Sequence, residues 1–182
     1  MRRDPVNVTA LFNLAACQRL TGQFDAAIAT LRSVLSLSPG RGLAHTAMCQ
    51  AMLFKGDASG ALAEIEQEKS ELYRLIGLPM AYHALGRKAE SDAALATLIA
   101  KLEKDASYNI AYVYAFRGEA DKAFEWLDKA IQYQDGGLSD IVAEKLFDNI
   151  HSDPRWLPFL RKLGKAPEQL AKIQFNVTVP KE

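Results

Sequence analysis

The chain has 182 residues, of which 49% are apolar and 24% are charged, so it suits one compact domain or one elongated repeat array. Its 22 basic and 22 acidic residues cancel, and this balance argues against direct binding to nucleic acid or to an anionic membrane surface. The longest uncharged apolar run is far below the ~20 residues that span a bilayer, which argues against membrane insertion.

Cys17 and Cys49 are the only cysteines, and each lies among small and apolar residues. This setting favours two buried free thiols over a disulfide. The first residues are not followed by the apolar segment that a secretion signal needs. We therefore expect a reducing compartment and a cytoplasmic location.

Four glycines divide the chain at similar intervals. Gly22, Gly56, Gly86 and Gly118 are separated by 34, 30 and 32 residues. A period in this range is typical of a stacked helical solenoid. Because an isolated glycine inside a helix costs about 1 kcal/mol relative to alanine, we interpret each glycine as the turn between two helices.

Residues at fixed offsets from the glycines support this interpretation. Large apolar residues stand eight places before and nine places after each glycine, and small residues stand five places after it. These are Leu14, Met48, Leu78 and Ile110; then Leu31, Ile65, Leu95 and Leu127; and then Ala27, Ala61, Ser91 and Ala123. The small residues predict close approach of paired helices, and the large residues predict the core between them.

The segments resemble tetratricopeptide repeats, which are helix–turn–helix units of about 34 residues. The first, with Gly22, Ala27 and Pro39, and the fourth, with Gly118 and Ala123, match that pattern best. The resemblance implies an all-α, right-handed superhelical solenoid of antiparallel helix pairs. Four repeats are predicted at about residues 8–40, 41–71, 72–103 and 104–135, which form one domain with the cap and tail at residues 136–182.

The third repeat departs most from the pattern. Pro79 stands where a small residue is expected, and Ser91 replaces the alanine. Because a proline inside a helix removes a hydrogen bond and clashes with the preceding turn, we expect the helix before Gly86 to begin late or to kink near Pro79.

The two ends of the array carry further expectations. Pro5 lies 34 residues before Pro39, at the place where a preceding repeat would close, so the chain reads as the tail of a longer array. After about Gln134, the stretch DGGLSDIVAEKLFDNI predicts a loop and a short helix. The stretch SDPRWLPFLRKLG then predicts a capping helix with Asp153 as its N-cap and an apolar face of Trp156, Phe159, Leu160 and Leu163.

Residues 80–175 also resemble the C-terminal repeat modules of bacterial regulators that carry an adenylate or guanylate cyclase domain or a winged-helix DNA-binding domain. That resemblance implies an alternative function, in which the chain is a regulatory or sensory module that contacts its own effector domain.

The sequence does not predict catalysis, a cofactor or a metal site. The three histidines lie far apart, and the familiar nucleophile, phosphate-loop and metal-binding motifs are absent. Glu64, Glu68 and Glu71 are expected to share one solvated helix face.

The resemblance assigns partner binding to a concave groove lined by the first helix of each pair. Side chains at the groove positions include Phe12, Arg19, Gln50, Tyr73, Met80, His83, Tyr108 and Tyr112. Phe12 and Ala16 stand where a clamp for a terminal carboxylate needs lysine and asparagine, so an apolar and aromatic groove for a protein or peptide segment is predicted instead. The alternative is that these aromatic side chains only pack between helices.

The end of the chain, KIQFNVTVPKE, alternates apolar and polar residues and predicts an extended strip. It is expected to fold back on the chain's own helices, with self-association through a neighbouring groove as the alternative.

Overall fold

The computed structural model describes residues 7–174, and this part of the chain is helical and without strands. Four pairs of helices come first, followed by two 3-10 helices and two short helices. Their bounds are α1 Val8–Leu20, α2 Phe24–Leu37, α3 Ala44–Phe54, α4 Ala58–Ile65, α5 Glu71–Ala84, α6 Lys88–Leu102, α7 Ser107–Phe116, α8 Ala120–Gln132, η1 Gly136–Asp140, η2 Lys145–Ile150, α9 Trp156–Lys162 and α10 Pro167–Leu170. The all-helical solenoid predicted from the sequence is confirmed.

The repeated glycines form the turns between paired helices. All four have positive φ angles, between 70° and 80°, in the left-handed region where a side chain would be strained. At Gly118, the backbone N–H donates to the carbonyl of Ala115, and the next N–H, of Glu119, donates to Tyr114. These bonds satisfy carbonyl groups at the end of α7, so glycine here ends one helix and starts the turn into the next.

The helices are arranged in two layers. Within the four pairs, each first helix packs on its partner, and α3, α5 and α7 also pack on the helix before them. In addition, α1, α3, α5 and α7 contact one another in series. The even-numbered helices do not contact each other to a comparable extent. The array therefore curves with its odd-numbered helices on the inner, concave side.

The core follows the predicted offsets on the even-numbered helices. The residues five and nine places after each glycine are all buried: Ala27, Ala61, Ser91, Ala123, Leu31, Ile65, Leu95 and Leu127. Eight places before each glycine, Met48 and Ile110 are buried and Leu78 is partly buried, but Leu14 is 48% exposed. Leu14 differs because no helix of the described residues packs on the outer face of α1.

The segment after α8 forms a cap that turns back over the concave side. η2 packs against α7, and its buried residues Leu146, Phe147 and Ile150 join the main core. α9 adds Trp156, Phe159 and Leu160 to the same core, as its apolar pattern predicts, whereas Leu163 is only partly buried.

One prediction about helix ends is wrong, and another is wrong in one of its two alternatives. α5 runs without interruption from Glu71 to Ala84 with Pro79 inside it, so it does not begin late, and a kink near Pro79 stays a prediction. Asp153 is not the N-cap of α9, which begins two residues after Pro154 at Trp156. The Asp153 carboxylate instead accepts a hydrogen bond from the Arg155 backbone N–H at 2.9 Å and holds the turn before the helix.

The predicted acidic face does not form either, because α4 ends at Ile65 and Glu71 begins α5. Glu64 pairs with His45, Glu68 is 3% exposed in the connecting turn, and Glu71 pairs with Lys101 at 2.5 Å. The end of α4 and the start of a new helix at Glu71 therefore separate three carboxylates that were predicted to share one helix face.

The two cysteines also have different surroundings. Cys49 is buried, and burial raises the pKa of its thiol to about 12, whereas Cys17 is exposed on α1. The prediction of two buried thiols is therefore correct for Cys49 and wrong for Cys17.

Within residues 7–174, no helix is long and apolar enough to cross a membrane. Pro5 and most of the alternating tail, including Phe175, Val177 and Val179, lie outside the described residues. The preceding-repeat and tail hypotheses therefore stay predictions.

Candidate partner-binding site

A cavity of about 320 Å³ lies on the concave side of the array, between the odd-numbered helices and the cap. Helix α1 contributes Phe12 and Arg19, α3 contributes Gln50, and α7 contributes Tyr108 and Tyr112. Five of the eight side chains predicted to face the groove thus come together at one place. They come from three different repeats, and Phe12 and Tyr112 are 100 positions apart in the sequence.

The other three predicted groove residues do not line this cavity. Met80 is fully buried in the core, so a partner cannot touch it in this arrangement. Tyr73 packs over the connection between α2 and α3, where a Cβ atom on Gly42 would lie 3.1 Å from its ring. His83 lies at a separate hollow with Arg117, and its ring contacts the edge of Phe116 at 6.1 Å between centroids.

The cap forms the far wall of the cavity. The lining includes Asp135, Gly137 and Asp140 from η1 and the preceding residue, together with Glu144 just before η2. Sequence reasoning missed these residues, because it treated the groove as the property of the repeat helices alone. The glycines and acidic residues in DGGLSD carry no periodic signal that would place them opposite α1.

Arg19 and Glu144 join the first repeat to the cap. The guanidinium donates two hydrogen bonds to the carboxylate, Nη1 to Oε1 at 2.8 Å and Nη2 to Oε2 at 2.7 Å. Their side chains are only 12% and 6% exposed. Because the ion pair is bidentate and largely shielded from solvent, it holds α1 at a fixed distance from the cap. The pair thereby closes one side of the groove.

The aromatic side chains of α7 pack against the cap. The Phe147 ring lies 5.4 Å from that of Tyr108 and 6.3 Å from that of Tyr112, measured between centroids. Tyr108 and Tyr112 are 5% and 4% exposed, and burial is the main cause that raises the pKa of both phenols. These aromatic side chains therefore pack between elements and also line the cavity, and their part in partner binding stays a prediction.

The hydroxyl groups of these two tyrosines differ. The Tyr112 hydroxyl accepts hydrogen bonds from the amide of Asn109 at 2.8 Å and from that of Gln50 at 3.3 Å. The Tyr108 hydroxyl is buried and has no hydrogen-bond partner among residues 7–174. The two phenols therefore differ in that only the Tyr112 hydroxyl is satisfied within the described residues.

Residues 7–174 hold no group of three or more His, Cys, Asp or Glu side chains arranged to bind a metal ion.

The fold is an array of helical repeats. Two segments of the chain match family models described as tetratricopeptide repeat, one at residues 9–40 and the other at residues 105–135. They cover the α1–α2 and α7–α8 pairs, which follow the glycine and small-residue pattern most closely. The comparison with curated proteins gives no match for the chain. Tetratricopeptide repeats indicate a protein-interaction scaffold with protein partners.

Proposed function

We propose that this chain is a protein-recognition module that binds a short segment of a partner in the cavity on its concave face. The observation that supports this is the convergence of Phe12, Arg19, Gln50, Tyr108 and Tyr112 on one cavity. These residues occupy the groove positions of three repeats, and they include aromatic and arginine side chains of the kind that dominate binding energy at interfaces.

The cap restricts the form of the bound segment. Because Phe147 covers one side of Tyr108 and Tyr112, a long extended peptide cannot follow the whole concave surface past α7. The remaining space of about 320 Å³ takes one or two side chains of a partner. The Arg19–Glu144 pair holds the walls in place before binding, so little backbone ordering is needed when the partner enters.

A capture experiment with two variants of α1 tests this function. Phe12 lines the cavity, whereas Leu14 lies two residues further along the helix and faces outward. We expect Phe12→Ala to reduce recovery of a bound partner by about tenfold or more, and Leu14→Ala to leave recovery unchanged. Thermal melting of both variants provides the folding control. Equal recovery by the two variants would contradict a cavity-centred site.

A second candidate is a regulatory or sensory module of a larger bacterial signalling or transcription regulator, which contacts an effector domain of the same protein. Leu14 favours this candidate. The equivalent residues eight places before the turn glycine, Met48 in α3 and Ile110 in α7, are buried, whereas Leu14 in α1 is 48% exposed. The same pair of variants separates the candidates. An effector contact through the outer face of α1 predicts loss with Leu14→Ala and no loss with Phe12→Ala.

A further inference from the structure

The outer face of α1 is exposed although it carries no charge along two helical turns. This face is defined by Ala10, Leu14 and Cys17, which are four and three residues apart and therefore lie on one side of the helix. All three are exposed, Leu14 by 48%. The terminal repeat of a solenoid needs a polar outer face to stay soluble by itself, so a face of this kind indicates a surface that another element covers.

The same three positions are buried in the second and fourth repeats. They stand twelve, eight and five places before the turn glycine. In the second repeat, α2 lies against this side of α3 and shares one core cluster with all three residues. The outer face of α1 is therefore the counterpart of a helix-to-helix contact. Each of the equivalent residues is at most 3% exposed: Ala44, Met48 and Ala51 in α3, and Ala106, Ile110 and Val113 in and just before α7.

Leu37 shows that exposure alone does not mark such a face. This leucine of α2 is 47% exposed, almost the same as Leu14. Fifteen places after the glycine, the equivalent positions of the next two repeats hold Glu71 and Lys101, which are charged and exposed. Leu37 thus stands at a position that faces solvent in these repeats, whereas Leu14 stands at one that is buried in α3 and α7. Leu37 is therefore a matched control for Leu14.

The charge of α1 fits a second copy of the chain as the covering element. From Val8 to Leu20 the helix contains one charged residue, Arg19, and its guanidinium is paired with Glu144. Two copies can therefore bring the outer faces of their α1 helices together without repulsion between like charges. A different partner that is selected by charge would find on α1 only the arginine that is already paired.

The residues of this face are also arranged almost symmetrically about its centre. The small residues Ala10 and Cys17 stand at its two ends, and Asn13 and Leu14 stand between them. In an antiparallel pair related by a two-fold axis, Ala10 of one copy meets Cys17 of the other. Each Leu14 then lies over the Asn13 of the other copy. The small residues allow close approach of the two helices, and the antiparallel direction brings opposite ends of the helix dipoles together.

We propose that the chain forms a homodimer through the outer faces of two α1 helices, packed antiparallel about a two-fold axis. Each Leu14 is covered by the other copy, as the equivalent Met48 is covered by α2 within the chain. The face is roughly 10 Å long, so the contact is small and the dimer is weak and depends on concentration. The dimer does not rest on partner binding in the cavity, because Phe12 and Arg19 line the cavity from another side of α1.

Sedimentation equilibrium of the full chain tests the dimer. We expect the average mass to rise from that of one chain toward that of two between about 10 µM and about 500 µM. Leu14→Glu places two like charges in the contact and should keep the mass at one chain over this range, whereas Leu37→Glu should behave as the unaltered chain. Melting curves show that both variants are folded. A mass of one chain for the unaltered protein at the highest concentration, or the same rise in both variants, would overturn the proposal.

Disulfide trapping tests the antiparallel arrangement. Ala10→Cys adds a thiol about 10 Å along the helix from Cys17, which is too far for a disulfide within one copy. Oxidation with copper phenanthroline should therefore link position 10 of one copy to Cys17 of the other and give a covalent dimer. Ser36→Cys adds an exposed thiol on α2 and should give no more covalent dimer than the unaltered chain. Equal yields from Ala10→Cys and Ser36→Cys would overturn the arrangement.

The variants of α1 also separate the dimer from the other uses of this helix. If the mass rises in the unaltered chain and in Phe12→Ala but not in Leu14→Glu, the dimer is supported whatever the cavity binds. If the unaltered chain keeps the mass of one chain and Leu14→Ala abolishes capture of a partner, an effector domain covers the outer face, and the second copy is overturned as its occupant. If the mass rises equally in Leu14→Glu, the copies associate through another segment, such as the C-terminal tail, and the proposed contact is overturned.

Discussion

Tyr108 and Tyr112 lie one helical turn apart, yet their hydroxyl groups have opposite consequences for stability. The Tyr112 hydroxyl accepts from the amides of Asn109 and Gln50 and so connects α3 to α7. The Tyr108 hydroxyl has no partner within the described part of the chain. The two phenols therefore form a matched pair at almost equal burial.

We expect Tyr112→Phe to lower the free energy of unfolding by about 1–2 kcal/mol, because two amide groups lose their acceptor. Tyr108→Phe should leave that free energy unchanged or raise it slightly, since it removes an unsatisfied polar atom and keeps the ring. Chemical denaturation of both variants measures the difference. A loss from Tyr108→Phe as large as that from Tyr112→Phe would show that its hydroxyl is satisfied in solution.

The Arg19–Glu144 pair provides the second prediction at the scale of residues. Arg19→Met leaves a buried carboxylate without its cation, and this should cost about 3–5 kcal/mol. Adding Glu144→Gln removes the stranded charge, so the double variant should recover a large part of the loss. Lys88→Met, in an exposed pair with Asp92, is the control and should cost less than about 1 kcal/mol. Strictly additive single-variant effects would mean that the two groups do not interact.

At the scale of elements, the chain divides into parts that could be predicted from sequence and parts that could not. The helix pairs could be predicted because their signals are local. A turn at positive φ requires glycine, and the close approach of two neighbouring helices requires a small residue. In the third repeat, Ser91 stands in place of the usual alanine and makes contacts that no local pattern predicts. The Ser91 hydroxyl donates to the Pro79 carbonyl at 2.7 Å, and Arg117 of the next repeat donates to Ser91 at 3.1 Å.

The cap could be predicted as an element but not as a wall of the cavity. Its position depends on Glu144 meeting Arg19, 125 residues earlier, and on Phe147 meeting Tyr108. No periodic pattern records such a long-range contact. For the same reason, the sequence could not predict which groove positions share one cavity. Those of α1, α3 and α7 line it, whereas Tyr73 and His83 of α5 do not.

The packing of Gly137 in the cap against Tyr108 of α7 gives the prediction at the scale of elements. A Cβ atom on Gly137 would lie 2.3 Å from Cδ1 of the buried Tyr108 ring, whereas one on Gly136 would meet nothing within 4 Å. We expect Gly137→Ala to cost about 1–3 kcal/mol by overpacking, and Gly136→Ala to stay within about 0.5 kcal/mol of the unaltered chain. Melting curves of the two variants provide the comparison. Equal stability would indicate that η1 can move away from α7 freely.

At the scale of the whole molecule, the buried apolar residues form two clusters. The smaller one joins α1, α2 and α3, and the larger one extends from α3 through α9. Helix α1 buries only Ala15 completely, whereas α7 buries seven residues. The first repeat is therefore held mainly by its packing on α3 and by the Arg19–Glu144 pair, and the concave cavity spans both clusters.

This division predicts that the array opens from its first repeat. In a solenoid, stability is set by each repeat and its neighbours, so amides of α1 should exchange with solvent deuterium at a lower opening free energy than amides of α7. Glu144→Gln should lower that value further in α1, because it weakens the bond to the cap, and leave α5 and α6 unchanged. Hydrogen exchange measured by mass spectrometry resolves these segments. If α1 and α7 exchanged at one common free energy in both proteins, the cap would couple the two clusters into a single cooperative unit, and the cavity could not open without global unfolding.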